Sequence, residues 1–417
     1  MNQTAWKPKT FSRRDNSALP EITPLTTDVS RTRTDAFFAL GPIFFYFFVA
    51  GIATVMLGPL LPALIGRWHI QDAQAGTLFT TTFAGQLCGA WFATRNLRAS
   101  VLYGACMSAV GCAWMGWANF STAHVALFCV GLGLGAGLTA GNVISGIAIP
   151  SARTRVIALL NMTWGAGAIS CSLLVRACGA GRVRLFFCVL AVCLVAAAAF
   201  AILLPRNNKL EPNVAGETEA RAKRRMPMPL WPLLLFSAAM LLFVGIENAL
   251  GGWLPSYGVR TSSALLASSI ALYFWVAEMT GRLLLAVMTN LFGEASLYRG
   301  SVAMLIVAEV VLISAKHLSA GGVVALTLLC GLAIAPVYPL ILSFFLARTG
   351  NHPRLGRVFA AASLGGATLP WLTGVVSTRF HGLRAGLVVP AVGTVLLLLL
   401  AGVITSTPIF SSQAAER

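Results

Sequence analysis

Two carboxylates, Glu247 and Glu278, lie in the middle of long apolar stretches of this chain. An ionised carboxylate at the centre of a membrane helix costs about 2.5–3.5 kcal/mol on insertion scales. Acids retained there point to a task, and reversible protonation is the simplest. Glu247 is the first candidate for proton coupling and Glu278 the second. Arg282 follows Glu278 at i,i+4, so the two share one helix face and can pair. That spacing gives Arg282 an ion-pair or gating role, although such a pair can also simply neutralise a buried charge. Glu309 is a third acid in an apolar stretch, and spacing supplies no partner for it. The first half of the chain contrasts with this. No acidic residue occurs between Asp72 and Glu211, so a proton-carrying carboxylate must come from the second half.

Amides and aromatics supply a different chemistry. Gln86, Asn142, Asn161 and Asn248 can donate and accept hydrogen bonds to a polar solute. Trp164, Trp253, Trp275 and Tyr338 offer flat faces for a sugar or aromatic ring. Any one of them could equally serve as helix–helix glue or as an interface anchor. As a group they read as the lining of a cavity for a neutral polar molecule. The nine cysteines show no CxxC or metal-ligand spacing, and no two of the five histidines sit at ligand spacing. Neither a metal nor a cofactor is expected. No GxxxxGK phosphate loop occurs, so an ion or solute gradient must supply any driving energy. A polytopic membrane enzyme would need a general base or metal at the membrane face. Only His69 and Asp72 come near that requirement. A channel is disfavoured by the lack of a ring of like charges.

The elements that position these residues are membrane helices. The chain is 57% hydrophobic and 10% charged, with a mean hydropathy of +0.79. Soluble domains carry about 25% charged residues. Apolar runs long enough to cross a bilayer recur at 37–65, 74–94, 100–118, 122–149, 155–175, 183–204, 230–257, 264–290, 297–315, 320–347, 355–377 and 385–406. An open sheet cannot satisfy its backbone in lipid, so all twelve are expected to be helices. The expected fold class is an all-α membrane protein. Residues 1–36 read as a disordered cytoplasmic tail and 407–417 as a second cytoplasmic tail. Of the 30 lysines and arginines, 21 fall on the side that holds the termini and eight on the other. That asymmetry places both termini in the cytoplasm, with the arginine-bearing loop between spans five and six against the trend. The expected location is the plasma membrane, specifically a bacterial inner membrane. Topology and anionic lipid account for the net charge of +17, and no nucleic-acid partner is needed. The expected partners are the lipid bilayer, a small-molecule substrate and a proton as co-substrate, and the expected oligomeric state is a monomer.

Residues 205–229 are the one long polar break, and they divide the chain into six-span halves at 37–204 and 230–406. The halves echo each other at an offset of about 200 residues. Gly131-Leu132-Gly133 answers Gly331-Leu332-Ala333, and Trp164-Gly165-Ala166-Gly167-Ala168 answers Leu364-Gly365-Gly366-Ala367-Thr368. Duplicated bundles around a midplane cavity are the architecture of rocking secondary transporters.

At these residues the chain resembles the major facilitator superfamily from about Phe37 to Thr405. Within it, the chain is similar to the fucose–galactose–glucose:proton symporter branch. The most specific segment is Glu247-Asn248-Ala249-Leu250-Gly251-Gly252-Trp253-Leu254-Pro255-Ser256-Tyr257, similar to an E-x-x-x-G-G-W-L-P-x-Y pattern. Phe274-Trp275 with Thr280-Gly281-Arg282, and Ser363 to Ala367 with Leu369-Pro370, also fit. The resemblance implies two pseudo-symmetric six-helix bundles and symport of a sugar-like solute by alternating access. A uniporter, or an exporter of the drug-carrier kind, remains the alternative within the superfamily. The chain departs from the branch in two places. Its first span lacks an acid, and Leu138 stands where the branch carries a fourth-span Glu. The loop Ala93-Thr94-Arg95-Asn96-Leu97-Arg98 also lacks the superfamily's Asp.

Overall fold

The computed structural model describes residues 40–93, 96–149, 153–179, 181–204, 230–349 and 355–406. The expected tails at 1–36 and 407–417, the connector at 205–229 and Arg95 lie outside the described residues. Helices dominate the described residues, and their order follows the expected spans. Span one is built of Gly41–Val55 and Leu57–Trp68. Spans two to six are Asp72–Phe92, Leu97–Met115, Phe120–Ala148, Arg153–Cys178 and Val183–Ala201. Spans seven to nine are Leu230–Thr261, Ala267–Met288 and Glu294–Ser314. Span ten joins Ala320–Ile334 to Val337–Thr349. Span eleven is Leu355–Arg379, and span twelve joins Leu383–Gly386 to Val388–Ile404.

Proline explains the breaks. Span one bends by 41° at Met56, where Pro59 removes an N–H from the ladder and crowds the carbonyl one turn back. Pro336 interrupts span ten in the same way. Among the described residues, eight of the spans are long and apolar enough to cross a membrane unaided, or nine with the bent pair counted as one. Spans two, three and eleven fall short of that mark although they are helical. In span two, the threonines and glutamine lower hydropathy, and Thr82 is buried against span four.

The two halves pack by one plan. Within the first, spans two and three pack on span four, while spans one and three pack on spans five and six respectively. In the second, eight and nine pack on ten, while seven and nine pack on eleven and twelve. The repeated glycines occupy matching contacts. A Cβ at Gly131 would overlap the Thr82 carbonyl of span two, and one at Gly331 would overlap the Phe274 carbonyl of span eight. Small residues at these crossings let backbones meet, which is how helices associate where lipid offers no hydrophobic drive. The outward faces carry exposed Trp91, Trp117, Val192, Leu283, Val307 and Leu399. Such surfaces suit a bilayer and would aggregate in water.

Candidate functional site

Three charges meet between spans seven and eight. Arg282 Nη2 donates to Glu247 Oε1 at 3.1 Å, and the same nitrogen bonds Glu278 Oε1. Helix spacing alone pairs Arg282 with Glu278. The long span seven adds Glu247 by packing alongside. Glu278 is wholly buried and Glu247 nearly so, while the Arg282 side chain is 15% exposed. The triad therefore holds one carboxylate more than it has cations, in a place where an uncompensated charge is expensive. Glu278 Oε2 and Arg282 Nε have no hydrogen-bond partner among the described residues. Tyr338 of span ten lies close enough to interact with the charges of Arg282 and Glu247, and its ring packs 5.6 Å from Phe243.

The triad borders the other bundle. Trp275, one turn from Glu278, meets Trp164 of span five edge-on, with ring centroids 5.8 Å apart. A Cβ at Gly165 would overlap Met279 Sδ, so spans five and eight touch closely here. Trp275 Nε1 is buried without a partner among the described residues. Asn142, Asn161 and Asn248 each donate Nδ2 to the carbonyl four residues back in their own helix. All three are half-buried, and each keeps its Oδ1 as an acceptor.

The structure thus gathers Glu247, Glu278, Arg282, Trp164, Trp275 and Tyr338 into one region, with Asn248 next in chain to Glu247. Trp253 lies elsewhere. Its ring is fully buried and Nε1 donates to Pro370 O at 2.8 Å, which ties span seven to span eleven. Gln86 lies with its backbone against Gly131 and Gly135 of span four. Asn142 sits towards the far end of span four. Glu309 is buried beside Thr394 inside the second bundle, and no hydrogen bond joins it to the triad.

Arg282→Met is expected to destabilise strongly, because it strands two buried carboxylates. Breaking a buried pair costs about 3–5 kcal/mol. Detergent melting temperatures should show the loss, with partial rescue when Glu278→Gln is added. Glu278→Gln alone should be mild, since Arg282 retains Glu247. An equal loss in both single variants would contradict the shared-arginine arrangement.

A second constellation seals one end of the molecule. Arg260, at the end of span seven, grips Asp72, at the start of span two, through two bonds of 2.6 and 2.7 Å. Ser377 Oγ of span eleven donates to the same carboxylate at 2.6 Å, and Ala73 N donates to Thr378 Oγ1 at 2.8 Å. Further in, Thr80 Oγ1 donates to Ala367 O at 2.7 Å. Glycines let the backbones close: a Cβ at Gly374 would overlap the Asp72 carbonyl, and one at Gly58 the Gly251 carbonyl. Among the described residues, the hydrogen bonds that join the two bundles lie in this half. The seam between spans two and eleven is packed more extensively than its pseudo-equivalent between five and eight. Sequence reasoning missed this lock. Asp72 is visible as the last acid before a long acid-free stretch, but nothing local connects it to Arg260.

Residues 43–354, well over half of the chain, match the family described as Major Facilitator Superfamily. The Saccharomyces cerevisiae "Bypass of stop codon protein 6" is 24% identical over 375 residues, covering 79% of this chain and 75% of that protein. Among solved structures, a bacterial homologue of the human lysosomal transporter Spinster, inward-facing and occupied, aligns with a TM-score of 0.70 at 15% identity, covering 88% of this chain and 96% of the other. FucP in the outward conformation aligns at 0.59 with 17% identity, covering 88% and 99%. The nucleoside transporter NupG aligns at 0.68 with 12% identity, covering 88% and 100%. These likenesses are of fold.

Proposed function

Because the chain belongs to the Major Facilitator Superfamily, we propose that it is a proton-coupled secondary transporter of a small, neutral, polar and sugar-like solute, working by alternating access. The observation that carries this reading is the triad, in which one arginine serves two buried carboxylates beside the seam between the bundles. A proton on either acid brings the triad to neutrality, and loss of that proton recreates the unpaired charge. Glu247 is the proposed carrier because it is the more accessible of the two and bonds the arginine less closely. Glu278 would hold Arg282 in place throughout the cycle. Trp164, Trp275, Tyr338, Asn161 and Asn248 would contact the solute, the rings against its apolar face and the amide oxygens against its hydroxyls.

With both termini in the cytoplasm, the end locked by Asp72, Arg260 and Ser377 faces outward. The outer end is then the closed one. Opening outward would break the lock and part spans two and eleven while spans five and eight close. Sites that rock in this way bind the solute from either side without a continuous pore. Cysteines introduced at Lys316 and in the connector at 205–229 should therefore react with impermeant reagents from opposite faces of the membrane. Labelling of both from one face would end this topology. The solute class is tested by a thermal-shift screen of sugars, nucleosides and organic acids on the purified protein. Stabilisation by a neutral sugar supports the reading. Stabilisation by organic acids alone would refute it.

A further inference from the structure

Arg67, Arg182 and Arg184, three of the eight basic residues on the side opposite the termini, are not used by the triad or by the lock. Arg67 ends span one, and Arg182 and Arg184 open span six. Together they rim a pocket of about 760 Å³ whose walls include Ala63, Val183, Leu185 and Cys188. Their arrangement leaves positive charge unanswered. Arg67 Nη2 and Arg184 Nε both donate to one carbonyl, Gly116 O, at 3.3 and 3.4 Å. Two guanidinium groups thus converge on a single neutral acceptor. Arg184 also lies over the Trp117 ring, 5.2 Å from its centroid. Arg182 has no side-chain partner among the described residues.

Among the described residues, no carboxylate forms an ion pair with this cluster. The first bundle is acid-free from Asp72 onward, and Asp72 itself is held by Arg260. Half-exposed Trp114 and Trp117 lie nearby, and tryptophan is the ring type that favours the membrane boundary. Arg182 caps span six without a side-chain hydrogen bond, at a helix end whose first N–H groups have no intrahelical partner. Below it, Leu185, Val192 and Val195 continue as an exposed apolar strip down span six. A phosphate ester above and a hydrocarbon chain below would satisfy both parts.

We propose that this pocket binds the phosphodiester headgroup of an anionic membrane lipid in the leaflet at the Asp72 end. Arg67, Arg182 and Arg184 surround the phosphate, and an acyl chain runs along Leu185. Arginine forks match phosphate oxygens in geometry as well as charge. The site gives Arg182 and Arg184, in the loop that runs against the charge asymmetry, a common task with Arg67. It is independent of the substrate site and of the coupling mechanism.

The test uses the purified full-length protein with three probes: dioctanoyl phosphatidylglycerol, dioctanoyl phosphatidylcholine and inorganic phosphate. Binding is read by native mass spectrometry and by thermal shift. Phosphatidylglycerol should bind and stabilise, with phosphatidylcholine weaker. Arg182→Gln should weaken phosphatidylglycerol about tenfold, the loss of one charge-assisted contact. Arg182 has no side-chain partner among the described residues, so its removal should leave the fold intact. The melting temperature in detergent alone checks this. Arg67→Gln with Arg182→Gln should abolish the lipid shift, while Glu247→Gln should leave it unchanged. Unaltered binding in the Arg182 variant would overturn the proposal. So would equal stabilisation by inorganic phosphate, which would mark an anion site without lipid, or equal binding of both lipids.

Discussion

Glu247→Gln is expected to abolish uphill uptake while solute exchange across the membrane persists. The amide keeps the volume of the acid and can still accept the Arg282 hydrogen bond, so the site should still assemble. It mimics an acid that never releases its proton, and coupling depends on that release. Accumulation driven by a pH gradient should fall to the level set by passive equilibration. Counterflow of labelled solute between vesicle and medium should stay within about threefold of the wild type, as a neutral isostere preserves most ground-state contacts. Glu278→Gln provides the contrast. It lies against the same arginine, so a purely structural role for the triad would move both variants alike. Accumulation by Glu247→Gln equal to that of the wild type would place the coupling group elsewhere.

Gly374→Val should trap the molecule open at the Asp72 end and eliminate transport. A side chain there has no room in the sealed state, because it would overlap the Asp72 carbonyl and crowd the Trp253 ring. Packed seams are bistable, so the strain should shift the population rather than deform the seam. A cysteine at Thr80, whose hydroxyl bonds Ala367 O in the closed seam, provides the reporter. It should react with an impermeant maleimide about tenfold faster in the valine background, the change expected when a minor open state becomes dominant. Asp72→Asn should move the same reporter less, since bidentate surface pairs contribute only about 1 kcal/mol. Protection of Thr80→Cys that is unchanged by Gly374→Val would show that the seam is not the moving part.

The fold was legible because lipid makes the code simple. Apolar runs carry meaning by themselves, and the repeated Gly131 and Gly331 showed where the halves echo, whereas the breaks at Met56 and Pro336 went unread. Local spacing also found the Glu278–Arg282 contact, because a helix places i and i+4 together. It could not bring Glu247 to the same arginine, since that contact depends on how spans seven and eight cross. Trp253 read as a cavity ring from its type alone, whereas its Nε1 bond to Pro370 depends on a neighbour more than a hundred residues away. The Asp72–Arg260 lock joins the two halves of the chain, and such pairings leave no local trace.

The most direct test of the central claim is the proton movement that accompanies uptake of the solute found by the thermal-shift screen. Weakly buffered proteoliposomes containing a trapped pH indicator would be given that solute as an inward gradient, with no imposed pH difference. The triad predicts acidification of the lumen that tracks solute entry in the wild type and disappears in Glu247→Gln. Solute entry into wild-type vesicles with no change in lumenal pH would contradict proton coupling and leave a uniporter in its place.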